Sequence, residues 1–376
     1  MTPPLHTLYG VEMSYFTGKA RAYLRWKGAP FVERPSDAAF FKEICLPRLG
    51  YAMIPVLVAP DGETLQDTTT IIDHFETAHA FGPTLTPMGA AQRLASELME
   101  LYADNWLLLP AMRYRWAYDA EATILEFGMN LAPDAPAAAQ RQLGEQASAM
   151  FRGALPALGV TEATASAVEA SYRALLQELD THFRAHPFLL GAKPCAGDFG
   201  LVGALYAHLY RDATAGALLR RDALAVARYV ERMMQPPPVA VWSAEGDYAP
   251  DDQIPETLIP VLRRMMDEQG PVLADTPPRL AAWKAAHPGE AIPRMIGTHA
   301  FSLPSPEAGG ARVTGQRAVF PYLVWMQQRA RAAYDASDGA GRARADALLD
   351  ACGGAVIRET AIEAPVALVD HRLRWA

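Results

Sequence analysis

A chain of 376 residues with a net charge of −8 is long enough to bury full cores in two or three domains. It carries no basic footprint for nucleic acid. It has no run of about eighteen apolar residues, which argues against a membrane span. Met1-Thr2-Pro3-Pro4-Leu5 lacks the charged and apolar regions of a secretion signal. Cys45, Cys195 and Cys352 are too widely spaced for a disulfide framework or a zinc site, and suit a reducing, cytoplasmic setting with no metal.

Leu5–Val11 reads as a first strand, apolar enough to be central. A helix follows over Thr17–Lys27, with Gly28 as its stop. Ala29–Arg34 reads as a second strand. Ile54-Pro55-Val56-Leu57-Val58 is a short apolar strand, Asp61-Gly62 a hairpin signal, and Thr64-Leu65 the return strand. Asp67 or Thr68 then caps a helix that buries Ile71, Ile72 and Phe75. A cis Ile54–Pro55 bond is expected, turning the Ile54 backbone outward toward an extended ligand.

Gly82–Pro87 is a linker by composition. From Ala90 the pattern becomes helical: Leu94, Leu98, Leu101 and Tyr102 share a face, and Pro110 ends or kinks the segment. Ala137–Leu155, Glu162–Ala185, Asp198–Arg211 and Leu224–Met234 continue a bundle. Pro236-Pro237-Pro238 closes it. Beyond that, Ile259–Gln269, Pro278–Ala286, Val319–Tyr334 and Arg342–Ala351 read as helices. His299–Leu303, Val356–Thr360 and Val366–Trp375 read as strands. Arg317, Tyr322, Trp325 and Arg329 in this tail are read as packing and helix-face charge.

Two motifs in order carry a family resemblance. Ile54-Pro55-Val56-Leu57 followed by Leu65-Gln66-Asp67-Thr68-Thr69-Thr70-Ile71 is similar to the Ile/Val-Pro-x-Leu and Leu-x-Glu-Ser-x-Ala-Ile segments of glutathione S-transferases. Ser14-Tyr15-Phe16-Thr17-Gly18-Lys19-Ala20-Arg21 resembles that family's Ser/Cys-Pro-Phe-x-x-Lys/Arg-x-Arg loop. The resemblance implies a thioredoxin-like α/β domain over 1–80 and an all-α helical domain over 90–235. An α-rich extension with a few short strands, of unknown role, then fills 236–376. It also implies a homodimer. Lys193–Phe199 resembles the family's Ser/Thr-x-x-Asp capping box, with Asp198 as the acid and Cys195 in place of the hydroxyl.

The implied chemistry is activation of a glutathione thiol. A free thiol titrates near 8.5, so a donor must favour the thiolate. A hydroxyl at the positive end of a helix does this. Ser14, Tyr15 and Thr17 all qualify by position. Asp67 would pair the γ-glutamyl ammonium, and Thr68 with the helix-start N–H groups its carboxylate. Ile54 and Pro55 would line the cysteinyl part. Phe16, Trp106, Tyr114 and Arg115 are candidates for a second-substrate wall. Arg48 is a candidate for the glycyl carboxylate. His6, His74 and His208 read as isolated. The expected function is conjugation or reductive processing of a small electrophile with glutathione as co-substrate, as in detoxification. The alternative is a non-catalytic binding or scaffold protein that keeps the fold.

Overall fold

The computed structural model describes residues 5–78, 81–235, 247–305 and 309–376. Met1–Pro4 and Pro236-Pro237-Pro238 lie outside these. The chain opens with β1 (His6–Gly10), α1 (Tyr15–Lys27) and β2 (Phe31–Pro35). Ser14 caps α1, its Oγ accepting from the Thr17 N–H at 3.2 Å, and Gly28 ends the helix in the left-handed region at φ 68°. Helical turns over 38–49 follow, including the short α2 (Ala38–Phe40) and α3 (Leu46–Leu49).

Next come β3 (Val56–Val58), β4 (Thr64–Gln66) and α4 (Thr68–Thr77). The sheet order is β2-β1-β3-β4. β1 runs parallel to β2 and antiparallel to β3, and β3 is antiparallel to β4. This is the thioredoxin-like arrangement expected from the sequence. The Ile54–Pro55 peptide is cis, as expected.

The helical region holds α5 (Ala90–Leu101), α6 (Leu108–Tyr118), α7 (Ala120–Leu131) and α8 (Ala137–Gly153). α9 (Leu155–Leu158), α10 (Glu162–Ala185), α11 (Ala196–Ala204), α12 (Ala213–Asp222) and α13 (Leu224–Met234) complete it. α5 runs through a π-helical turn, Tyr102–Trp106, into α6. The capping box at α11 is formed. Asp198 accepts from the N–H of Cys195 at 2.9 Å and of Leu189 at 3.0 Å, and Cys195 is fully buried.

Three expectations for the tail change. Ile259–Gln269 and Pro278–Ala286 are one helix, α14 (Ile259–Ala286), which runs through Pro271, Pro277 and Pro278. Pro271 has no N–H for the Asp267 carbonyl, and Arg312 Nη2 donates to that carbonyl instead at 3.2 Å. β5 (Thr298–Pro304) pairs with a strand the sequence reading missed, β6 (Arg312–Ala318). α15 (Tyr322–Asp335) and α16 (Gly339–Cys352) follow. Val356–Thr360 is not a strand but the helical α17 (Ala355–Glu359). Its β-branched residues favour extended structure, but only Ile357 is deeply buried and the segment has no ladder to join. The chain ends in the hairpin β7 (Val366–Val369) and β8 (Arg372–Trp375), turned by Asp370 and His371 at positive φ.

The main apolar core spans the α/β unit, the helical region and much of the tail, with smaller clusters around Phe40 and Val56 and around Leu280 and Val366. It joins Leu8, Tyr23 and Phe75 of the α/β unit, Leu98, Tyr102 and Phe199 of the helical region, and Met265, Leu323, Met326 and Leu349 of the tail. The tail is therefore packed into the rest of the molecule, with α15 and α16 both against α5. No described helix is long and apolar enough to cross a membrane.

Candidate functional site

Ser14 and Asp67 open α1 and α4. Both helices begin at the ends of sheet strands, because the β-α-β and β-β-α halves bring their helix starts to one edge. Ser14 is half-buried, and its oxygen is used as an acceptor, leaving its hydroxyl proton to donate outward. The loop beneath it is held by Arg115, whose Nη1 donates to the Met13 carbonyl at 2.9 Å. Arg115 also forms a two-pronged pair with Asp212, at 2.7 and 2.9 Å, and donates to the Ala207 carbonyl. It is buried, as is His208 beside it, whose pKa is pushed down by burial and then by the Arg115 charge.

Tyr15 turns inward. Its hydroxyl is buried and donates to the Ala103 carbonyl at 2.6 Å, and burial followed by Asp104 drives its pKa up. Thr17 is fully buried and packs against Gly10, where any Cβ would overlap its side chain. Phe16 is half-buried with its ring 4.9 Å from Tyr15. Of the three candidate hydroxyls, the geometry leaves Ser14 at the surface of the site.

Asp67 sits at φ 76°, a left-handed conformation rare for a non-glycine residue and frequent at functional positions. Its Oδ1 accepts from the Thr69 and Thr70 N–H groups at 2.9 and 3.2 Å. Thr68, the first residue of α4, is buried. Thr69 links the site to a buried charge cluster. Lys19 Nζ lies 3.1 Å from Thr69 Oγ1, 2.7 Å from Glu100 Oε1 and 2.5 Å from Asp104 Oδ2. Thr69 Oγ1 in turn donates to Glu100 at 2.9 Å.

All four side chains are buried, which ties α1, α4, α5 and the π-turn together. Burial pushes Asp104 up to about 7, with Lys19 opposing and Glu100 adding to the rise. Glu100 goes the other way: burial raises it, but Lys19 overcomes this and holds it below the usual range. Lys19 and Arg21 fall in the motif read from sequence. Their partners do not, because Glu100 and Asp104 lie 81 and 85 residues downstream of Lys19.

The expected second-substrate wall is not assembled. Trp106 is buried and donates to Glu268 at 3.0 Å. Tyr114 is buried against Tyr172, with ring centroids 5.3 Å apart. These residues and Arg115 are packing and pairing groups in the core. Arg48 donates to the Gly62 carbonyl and to Thr64 Oγ1, bracing the β3–β4 hairpin.

What sequence reasoning missed is the tail. Tyr322 donates to Asp67 Oδ2 at 2.6 Å. Tyr51 donates to the His371 carbonyl at 2.6 Å, and Arg372 lies over the Tyr51 ring at 5.3 Å. A groove of about 240 Å³ lined by Ala91, Asp252, Ile254 and Leu348 contains none of these residues.

Residues 8–84 match the family model of the glutathione S-transferase N-terminal domain. No curated protein matches the chain significantly. Among solved structures, a β-etherase from Sphingobium sp. strain SYK-6 is similar over 61% of this chain and 94% of its own, at 15% identity and a TM-score of 0.44. A glutathione S-transferase from Rhodospirillum rubrum F11 is similar over 67% and 97%, at 17% identity and a TM-score of 0.42. A rice transferase solved in complex with glutathione is similar over 61% and 85%, at 18% identity and a TM-score of 0.38. The matched segment runs from β1 through α4, and by it the N-terminal domain of this chain belongs to the glutathione S-transferase superfamily.

Proposed function

We propose that the chain binds glutathione and directs its thiolate at a small electrophile. The observation that carries this is the start of α4. Asp67 is held at positive φ with its carboxylate fixed on the Thr69 and Thr70 N–H groups, and the Thr68 hydroxyl and N–H stand next to it at the helix start. An amino acid's ammonium and carboxylate fit that pair of neighbours: the ammonium to Asp67, the carboxylate to Thr68 and the helix end. The cis Ile54–Pro55 bend adjoins it and would line the middle of an extended ligand.

Ser14 then donates its hydroxyl to the thiolate at the positive end of α1, lowering the thiol pKa. The thiol proton leaves to solvent. The sulfur lone pair forms the new bond to carbon, and the electrophile's leaving group departs with its electron pair, or its π electrons shift. Tyr15, with its hydroxyl committed to Ala103, takes no part in this reading. The domain limits 1–80, 90–235 and 236–376 remain our working division. Arg329 of the tail already pairs with Asp73 and Glu97, on α4 and α5. A homodimer would therefore use other surfaces. The three buried free cysteines accord with a reducing cytoplasm.

The test is calorimetric titration of the full chain with glutathione, together with turnover of a chromogenic aryl halide. Binding with turnover supports the reading. Binding without turnover on any electrophile class favours the second reading, a binding module of the same fold. The core positions of Trp106, Tyr114 and Arg115 lend weight to that alternative. Absence of binding at millimolar glutathione overturns the glutathione reading and leaves a scaffold protein that keeps the fold.

A further inference from the structure

Asp67 is met by a hydroxyl from 255 residues further along the chain. Tyr322 opens α15, and Trp325 and Arg329 follow at helical spacing. The Tyr322 and Trp325 rings lie 5.2 Å apart, and the Arg329 guanidinium sits 5.4 Å from the Trp325 ring. Arg329 pairs with Asp73 on α4 and Glu97 on α5. This face of α15 therefore lies along both helices, and Tyr322 is fixed by the docking of the whole helix.

The charges around Tyr322 are unbalanced. Glu100 and Asp104 share Lys19, whereas Asp67 has no ion-pair partner within 4 Å among the described residues. Glu100 Oε2 and Asp104 Oδ1 are also buried without a hydrogen-bond donor. Lys19 is shared between Glu100 and Asp104, so Asp67 is left without a counter-charge of its own, which favours a cation beside it. Among the described residues Asp67 Oδ2 accepts only the Tyr322 bond, so it has room for a second donor. A phenol that donates to a carboxylate keeps its own oxygen lone pairs free. A cation approaching Asp67 Oδ2 therefore meets two acceptors, one from the N-terminal domain and one from the tail.

We propose that Tyr322 is a ligand-binding residue: its oxygen accepts from the α-ammonium of the γ-glutamyl group while its own hydroxyl proton stays directed at Asp67, so that the C-terminal tail completes the substrate site. This rests on the glutathione reading given above. It also gives the tail a role that neither the family match, which ends at residue 84, nor the N-terminal motifs assign.

The experiment compares glutathione with glutathione acetylated on its α-amino group, titrated into wild type and Tyr322→Phe. Phenylalanine keeps the ring against Trp325 and removes only the hydroxyl, and an unchanged unfolding midpoint verifies the fold. One hydrogen bond to a charged group predicts roughly tenfold or greater loss of glutathione affinity in the variant. Affinity for the acetylated ligand, which has no ammonium, is expected to stay within about twofold, so the preference for a free amine collapses. Unchanged glutathione affinity in Tyr322→Phe overturns the proposal, as does an equal loss for both ligands, which would mark a structural role. Failure of the wild type to bind either ligand is a different result, because it removes the glutathione reading itself.

Discussion

Arg329 faces Asp73 across 256 residues of sequence, with Nη1 2.6 Å from Oδ2 and Nη2 3.0 Å from Oδ1. Its Nε also lies 3.2 Å from Glu97. This is the charged joint between the tail and the N-terminal half. Glu97 is pushed up to about 7 by burial, and Arg329 is the main group opposing that rise.

Replacing Arg329 with methionine is expected to cost about 1–3 kcal/mol, because it leaves Glu97 buried and unpaired. Asp73→Asn should cost less, about 1 kcal/mol or below, since that carboxylate is 44% exposed. Urea unfolding of the two variants checks the order. An Arg329→Met protein as stable as wild type would mean that apolar contacts alone hold the tail.

Asp198 is a second point where one carboxylate serves several buried donors. It accepts from the Cys195 and Leu189 N–H groups and from the Tyr229 hydroxyl at 3.1 Å. Burial lifts it to about 6, against the pull of these bonds. Asp198→Ala strands these donors and should cost about 3 kcal/mol or more. Cys195→Ser should be mild by comparison, because the N–H contacts to Asp198 survive. The same burial pushes the Cys195 thiol up, so a thiol reagent should label it only as the protein unfolds.

These contrasts explain what could be read from the sequence. The N-terminal elements and the α11 cap were legible because their signals are local. A turn pair at Asp61-Gly62, a cap at Asp67 and an acid three residues after Cys195 each act within a few residues. The second-substrate wall was not legible. Trp106, Tyr114 and Arg115 lie on a segment buried nearly all round, so spacing alone could not tell pocket from core. The counter-ion of Arg115 lies 97 residues on, at Asp212. Tyr322 was noticed as an aromatic beside arginines, but nothing within α15 points to Asp67. Such pairings come from tertiary packing, which leaves no local period to read.

Ser14 combines two jobs that substitution can separate. Ser14→Ala removes both the α1 cap and the proposed thiolate donor. The cap is worth about 1 kcal/mol of stability. Under the glutathione reading, the donor is worth about 1.5–3 kcal/mol, roughly a ten- to hundredfold fall in turnover with affinity nearly intact. Ser14→Asp keeps a cap acceptor but has no proton to give at neutral pH, so it should recover stability and not turnover. Recovery of both would assign the donor role to backbone N–H groups instead.

Asp104 makes stability depend on pH in a direction opposite to most carboxylates. An ordinary aspartate loses its proton near 3.8, whereas Asp104 holds its proton up to about 7 because burial outweighs Lys19. Between these values the folded protein binds a proton that the unfolded chain does not. Stability from this group is therefore present at about pH 4 and lost as pH rises to about 7. Glu97, also raised to about 7, acts in the same window. Glu100 and Glu76 are lowered and act below it, weakening the fold as pH falls under 4.5. Each tenfold change in a group's acidity constant on folding is worth about 1.4 kcal/mol. Asp104→Asn keeps an acceptor for Lys19 and removes the titration. Its unfolding midpoint should change less than that of wild type between about pH 5 and 8, with the variants compared at equal salt. A wild-type midpoint that instead rises across that range, with Asp104→Asn unchanged from it, would mean that Asp104 is ionised throughout and that Lys19 outweighs its burial.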